Sequence, residues 1–179
     1  MKILHYFAIT IFIIMSCKSP EARRPISQTT GSFIKTSVSR NKDLIKLEEK
    51  LIQEYMINNS ENNYIASEYG FWYYYVTTSK VEGESPKFGD ILNFNYTISN
   101  FKNQPIYTEE ELGNQVYNMD KEELFTGLRE GLKLMKVGET IVCLFPSQKA
   151  FGFYGDENKI GMNTPLICSI TLNLITKNK

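Results

Sequence analysis

One segment of this 179-residue chain alternates apolar and polar residues without a break, and this pattern restricts the fold most. Within residues 91–99, asparagine, threonine and serine alternate with the apolar residues Leu92, Phe94, Tyr96 and Ile98. A period of two places the apolar side chains on one face of a β-strand, so the segment predicts a half-buried strand with Tyr96 on its apolar face. That face needs a covering layer.

The rest of the chain predicts more strands and a short helix to cover them. Residues 71–78 are rich in aromatic and β-branched residues, and further strands are predicted over 115–119, 139–145 and 166–176. A helix is predicted after Asp120, which resembles an N-cap with Glu123 completing a capping box; it carries Leu124, Leu128, Leu132 and Met135 and stops at Gly138. The predicted fold class is α+β, a helix covering an antiparallel sheet.

A separate amphipathic helix is predicted over residues 41–58. Its apolar stripe repeats at three- and four-residue spacing through Leu44, Leu47, Leu51 and Tyr55, and it is widened by Ile45, Ile52 and Met56. The segment is too short for a sustained coiled coil, which needs about three heptads or more. The helix either packs on its own domain, which we favour, or associates weakly with a second copy through the stripe from Leu44 to Tyr55.

The first forty residues indicate export and a membrane anchor. Residues 6–15 carry no charge, and a run of this length is shorter than the roughly 20 residues of a membrane span, so it predicts a signal peptide. The segment Ile14-Met15-Ser16-Cys17 resembles the lipobox of bacterial lipoproteins, which implies lipidation of Cys17; plain secretion with a spare Cys17 thiol is the alternative. Residues 18–40 predict a flexible tether.

These features place the mature protein in the cell envelope, lipid-anchored and facing the periplasm. Lys18, next to the predicted lipid site, is not an acidic retention signal, and by analogy with other bacterial lipoproteins this favours the outer membrane.

The composition excludes several kinds of chemistry. The one histidine, His5, lies in the predicted signal peptide, so the mature chain has no imidazole for a catalytic triad, a histidine base or a His-ligated zinc. With 20 basic and 20 acidic residues there is no electrostatic footprint for nucleic acid. No cofactor or metal is predicted. The acidic clusters at 109–111 and 156–157 lack the spacing of a calcium loop and are interpreted as solvated surface.

Two cysteines fall in predicted strands. Cys143 and Cys168 each have apolar neighbours and form no C-x-x-C motif. An exported protein could join them as a disulfide, but two small buried hydrophobic residues is the favoured interpretation.

Aromatic residues are the remaining signal for a site. Several lie at strand ends or in glycine-punctuated loops, including Tyr96, Tyr117, Phe125 and Phe151. An apolar pocket lined by such rings suits a peptide or a proline ring. Taken alone, the same residues are also consistent with a core rich in aromatics.

A resemblance favours the pocket. The chain carries, in order, Pro86-x-x-Gly89-Asp90, Leu124-Phe125-x-Gly127-Leu128-x-Glu130-Gly131, Met135-Lys136-Val137-Gly138-Glu139 and Ala150-Phe151-Gly152. Over residues 86–175 this order resembles the FKBP-type peptidyl-prolyl cis-trans isomerases. The lipobox, the short helix and the phrases Gly127-Leu128-Arg129-Glu130-Gly131-Leu132 and Phe145-Pro146-Ser147 are most similar to the gliding-motility lipoprotein isomerases of the GldI type.

The resemblance implies a twisted antiparallel sheet of five to six strands wrapped on the helix 124–136, with the pocket between them. Together with the segments predicted above, it divides the chain into a signal peptide (1–16), lipidated cysteine and tether (17–40), amphipathic helix (41–60), strand-containing extension (61–85) and isomerase domain (86–177). By position, it assigns catalysis to Tyr96, Phe125 and Phe151, and substrate binding to Ile106, Tyr107, Tyr117, Leu124, Leu128, Ile160 and Cys168.

Several of these positions depart from the family. The resemblance leads us to expect a carboxylate where Tyr107 stands, a tryptophan at Leu128, a tyrosine at Phe151 and an aromatic ring at Cys168. Each change enlarges or depolarises the pocket.

Two functions follow from the resemblance. The first is a membrane-tethered prolyl isomerase that binds proline-containing polypeptides and assists the folding of exported proteins, such as those of a gliding or secretion apparatus. The alternative is a non-catalytic peptide-binding chaperone or assembly module on the same scaffold.

Overall fold

A computed structural model describes residues 30–79 and 83–178 of the chain, with side chains from residue 34 onward. In chain order the elements are α1 (Thr30–Asn58), β1 (Ile65–Ala66), β2 (Trp72–Thr77), β3 (Ile91–Ser99), β4 (Pro105–Tyr107), α2 (Glu109–Leu112), β5 (Gln115–Asn118), α3 (Thr126–Lys133), β6 (Thr140–Phe145), a 3-10 turn (Ser147–Lys149) and β7 (Leu166–Thr176). The predicted signal peptide, Cys17 and the first part of the tether lie outside the described residues.

The chain divides into two compact units, residues 1–38 and 39–179. Within the first, the described residues 30–38 are the opening of α1. None of the helices in the described ranges is long and apolar enough to cross a membrane.

The strands form one antiparallel sheet in the order β1-β2-β6-β7-β3-β4, and β5 also pairs with β3. β3 is long enough to bind β7 along one edge and, on the other, β5 near its start and β4 near its end. The sheet therefore has seven described strands rather than the predicted five to six, because β1 and β2 extend it beyond the family domain.

The β6 strand is buried on both faces, because a separate set of residues covers each face of the sheet there. On one face, Cys143 and Phe145 join the main core with Leu128 and Leu132 of α3. On the other, Val142 and Leu144 pack with Ile52 of α1. A strand with both faces covered loses the alternating pattern, which accounts for the apolar run from Ile141 to Phe145.

The first helix packs on its own domain through one side of the predicted stripe, where Ile52 is buried and Tyr55 and Met56 pack beside it. Glu48 and Ile52 are buried, whereas Leu47 is 67% exposed and Leu51 is 38% exposed. The helix begins at Thr30 instead of Asn41, so the tether predicted over 17–40 is wrong for its last part. Residues 34–40 are exposed, and extending an existing helix adds a hydrogen bond per residue without further packing. Self-association through the Leu44–Tyr55 stripe stays a prediction.

The predicted start of α3 is also wrong. Asp120 has a φ of 60° and lies in a turn, and the helix begins at Thr126 with Phe125 as its N-cap. The Asp120 carboxylate instead accepts from Lys133, at 3.0 Å, on the exposed side of the helix. The capping box of the described structure lies at Thr108 and Glu111, at the start of α2.

The two internal cysteines match the favoured interpretation. Cys143 and Cys168 are free, have no exposed surface and face each other across β6 and β7. Burial raises the pKa of both thiols, because the apolar core disfavours the charged thiolate.

Candidate active site

A cavity of about 600 Å³ opens beside the N-terminal end of α3. This volume is typical of a site for a small ligand or a short peptide segment. The cavity is lined by Tyr96, Glu122, Glu123, Leu124, Phe125, Arg129 and Phe151. All three residues assigned to catalysis by the resemblance, together with Leu124, therefore lie in one cavity.

Two phenylalanine rings form the apolar wall of this cavity. The rings of Phe125 and Phe151 have centroids 5.0 Å apart and are tilted by 43°. Both side chains are half-buried, and each packs against the main core. The Phe125 ring rests edge-on against Phe145 of β6, at a centroid distance of 5.7 Å. Phe145 was not among the predicted site residues, because its apolar run predicts a strand and gives no sign of what lies above it.

Gly127 allows this stacking. A Cβ atom at that position would lie 2.6 Å from the Phe145 ring and 2.7 Å from the Lys149 carbonyl oxygen. Real Cβ atoms do not approach so closely, so α3 can reach the ring and the 3-10 turn only with glycine there. The glycine in the Leu124-to-Gly131 motif thus has a packing function.

Two polar groups at the cavity remain open to a ligand. The Tyr96 hydroxyl and the Phe125 N–H have no hydrogen-bond partner among the residues that the structure describes. Burial, followed by the nearby Cys168 and Tyr107, raises the pKa of Tyr96 to about 12. The tyrosine therefore keeps its proton at neutral pH and can donate a hydrogen bond, as can the N–H at the helix start.

Four of the predicted substrate-binding residues lie beneath the cavity rather than on its surface. Leu128 and Cys168 have no exposed surface, and Ile160 and Tyr117 are 3% and 4% exposed. The Tyr117 hydroxyl is already bonded to the Glu122 carbonyl and the Asp120 N–H. None of the four is among the residues that line the cavity, and their direct contact with a substrate stays a prediction. Ile106 is half-buried and packs on the same core.

Tyr107 leads to an acidic residue that the sequence interpretation missed. The Tyr107 hydroxyl donates to Oδ2 of Asp156 at 2.5 Å and accepts from Nδ2 of Asn158 at 3.0 Å. The resemblance places a carboxylate at position 107 itself; here that position is a tyrosine, and its hydroxyl meets a carboxylate from the loop after Phe151. Asp156 was interpreted as solvated surface, and the structure corrects this, since the residue is half-buried and bonded.

The rim of the cavity is acidic, another feature the sequence interpretation missed. Glu122 and Glu123 are both exposed at its edge. Arg129 also lines the cavity but is paired with other carboxylates, since its Nε lies 3.2 Å from Glu130 and 3.6 Å from Asp120. The residues before a helix start gave no signal of a ligand site, because acidic residues are common there.

A cavity with an apolar wall and a few hydrogen-bond donors suits the binding of a peptide segment. The family model described as FKBP-type peptidyl-prolyl cis-trans isomerase matches residues 82–173, slightly more than half of the chain. The chain belongs to the FKBP-type peptidyl-prolyl cis-trans isomerase family, and it is an enzyme of that type whose substrates are proline-containing polypeptides.

Two solved structures have a similar fold. A peptidyl-prolyl cis-trans isomerase from Pseudomonas syringae has a TM-score of 0.61 and 18% identity, covering 76% of this chain and 96% of its own. FkpA from Escherichia coli also has a TM-score of 0.61, with 22% identity, and covers 98% of this chain and 81% of its own. Among curated proteins, none matches this chain.

The geometry explains how such a site accelerates isomerisation. Resonance holds the X–Pro amide planar, and the barrier to rotation is about 20 kcal/mol. The twisted transition state has lost that resonance and is less polar than the planar amide, so an apolar wall such as Phe125 and Phe151 favours it over the ground state. The Phe125 N–H and the Tyr96 hydroxyl can bond backbone carbonyls of the substrate and hold it in place.

Proposed function

We propose that this isomerase is a lipoprotein of the cell envelope that assists the folding of exported proteins. The observation that carries the proposal is the segment Ile14-Met15-Ser16-Cys17, which follows an uncharged run and precedes a stretch rich in serine, threonine and proline. Lipid on Cys17 would hold the domain at a membrane surface, where newly exported chains fold, and several acyl chains anchor far better than one.

We also propose that the protein is of the gliding-motility, GldI type, with clients in a gliding or secretion apparatus. The support is the combination of the lipobox with the phrases at residues 127–132 and 145–147. Folding steps limited by X–Pro isomerisation take tens to hundreds of seconds, so a tethered isomerase is useful wherever large exported proteins assemble.

The anchor is tested by expressing the full chain and the variants Cys17→Ser and Lys18→Asp in a diderm bacterium. We expect metabolic labelling with a radioactive fatty acid in the parent and in Lys18→Asp, and none in Cys17→Ser. Fractionation should recover the parent with the outer membrane and Lys18→Asp with the inner membrane. Equal labelling of the parent and Cys17→Ser, or a parent that is released as soluble protein, would remove the lipoprotein proposal and leave plain secretion.

A further inference from the structure

The loop after Phe151 is closed by one carboxylate. Oδ1 of Asp156 accepts from the N–H groups of Asn158, at 2.9 Å, and Ile160, at 2.7 Å. The Asp156 N–H returns a bond to the Ile160 carbonyl at 3.1 Å. Gly155, with a φ of +71°, leaves no space for a side chain, because a Cβ there would lie 2.2 Å from the Ile160 carbonyl oxygen. Residues 155–160 therefore form a tight turn around the Asp156 side chain.

The same carboxylate joins this loop to β4. Its second oxygen, Oδ2, accepts from the Tyr107 hydroxyl. A further contact supports the junction: the Lys159 ammonium lies 4.8 Å from the centre of the Tyr107 ring and also pairs with Glu111 of α2. The loop and the strand are thus tied at one point by hydrogen bonds and a cation–π contact.

Both sides of this junction carry residues of the site. The loop carries Phe151, which lines the cavity, and Ile160, which is buried in the core beneath it. The strand carries Ile106, next to Tyr107, packed on the same core. Moving the loop away from β4 would therefore change the shape of the apolar wall.

We propose that Asp156 is a positioning residue of the isomerase site, holding the Phe151–Ile160 loop against β4 through the Tyr107 hydroxyl. The inference concerns the isomerase pocket and does not depend on the proposed lipid anchor.

The junction depends on the ionised form of Asp156, whose two oxygens accept all three hydrogen bonds. Burial raises the pKa of Asp156, but the hydrogen bonds from Tyr107, Ile160 and Asn158 outweigh it and hold the pKa below its usual range. The titratable side chain bonded to Asp156 is Tyr107 on β4; Lys159 of the loop contacts the Tyr107 ring and pairs with Glu111 on α2. In Asp156→Asn an amide donor replaces one acceptor, and it would face a hydroxyl that already accepts from Asn158.

The test compares Asp156→Asn, Tyr107→Phe and their double variant in the full chain, with Glu157→Gln as the matched control. Glu157 is the exposed acidic neighbour, so both acidic variants remove one negative charge from the same loop. Three quantities are measured: kcat and KM for isomerisation of an X-Pro peptide, the dissociation constant of an X-Pro peptide, and the rate of hydrogen exchange of the Ile160 amide.

We expect each single variant to lower kcat/KM about three- to tenfold, chiefly by raising KM and weakening peptide binding, and the double variant to lose no more than either single one. Exchange of the Ile160 amide should accelerate in Asp156→Asn, and Glu157→Gln should behave as the parent. The proposal is overturned if Asp156→Asn matches Glu157→Gln, or if the two single effects multiply. If Asp156→Asn does not fold, Tyr107→Phe alone tests the proposal. A KM and a peptide affinity equal to those of the parent would then overturn it.

Discussion

The site has the two apolar rings expected from the family motifs, Phe125 and Phe151, but its carboxylate contact is made by Asp156 with Tyr107. The motifs around Phe125 and Phe151 led to the assignment of both rings from the sequence, and the structure places them 5.0 Å apart. Asp156 was beyond reach, because its partner Tyr107 lies 49 positions away and no local pattern connects them. A contact between a strand and a distant loop depends on the finished fold, whereas the residues of a motif are neighbours in sequence.

The buried carboxylate of Asp90 makes the stability of the fold depend on pH. It accepts from the backbone N–H groups of Lys87 and Asn178, at 2.9 and 3.0 Å, and from the Lys177 ammonium at 3.2 Å. Burial raises the pKa of Asp90, and these bonds outweigh it, so the folded pKa lies below the unfolded one. The stabilisation is therefore present above the unfolded pKa and is lost as the pH falls through the folded pKa.

We expect Asp90→Asn to lower the free energy of unfolding by about 1 kcal/mol at pH 7, a modest figure because Lys177 is open to solvent. The difference from the parent should shrink as the pH falls below the usual aspartate range. Urea unfolding at a series of pH values from neutral to acid measures this. A difference that stays constant down to the most acid pH would show that the charge of Asp90 contributes nothing.

Secondary-structure elements were predictable where their pattern had a single period. The strands Ile91–Ser99 and Leu166–Thr176 have the predicted bounds, since each alternates over many residues. β1 and β4 were missed because two or three residues carry no period. For α1 the helix and its apolar stripe were predicted, but the side of the stripe that is buried was not, because Leu47 looks like a core residue and Glu48 like a solvent residue.

Glu48 connects α1 to the segment that carries Phe151. Its carboxylate is buried and accepts from the Ser147 hydroxyl at 2.6 Å and from the Ser147 N–H at 2.8 Å. Ser147 starts the 3-10 turn, and its carbonyl accepts from Gly152. A buried carboxylate with two donors is costly to replace, since one of its acceptors has to be lost.

We expect Glu48→Gln to lower the free energy of unfolding by about 1–3 kcal/mol, the cost of disrupting buried hydrogen bonds to a charged group. Glu49→Gln is the matched control, being the exposed neighbour on the same helix, and should change stability little. Urea unfolding of both variants makes the comparison. Equal stability of the two would mean that the Glu48 contact does not hold the helix to the domain.

On the scale of the whole molecule, the α+β class and the wrapping of a sheet on one short helix were predictable, because four motifs in order resemble those of one family. The extent of the sheet was not, since β1 and β2 precede the family domain and join it through pairing with β6. α1 then covers the second face of that enlarged sheet. The extension and the isomerase domain thus share β6, which is why that strand is apolar on both sides.

The central claim is that the cavity walled by Phe125 and Phe151 accelerates X–Pro rotation. The most direct measurement is kcat/KM on an X-Pro peptide for the full chain, for Phe125→Asp, and for Phe88→Asp, whose ring is 66% exposed and outside the cavity lining. Circular dichroism of each variant confirms that it is folded. We predict acceleration by the parent and by Phe88→Asp, and a rate for Phe125→Asp indistinguishable from the uncatalysed reaction. A folded Phe125→Asp as active as the parent would contradict the account.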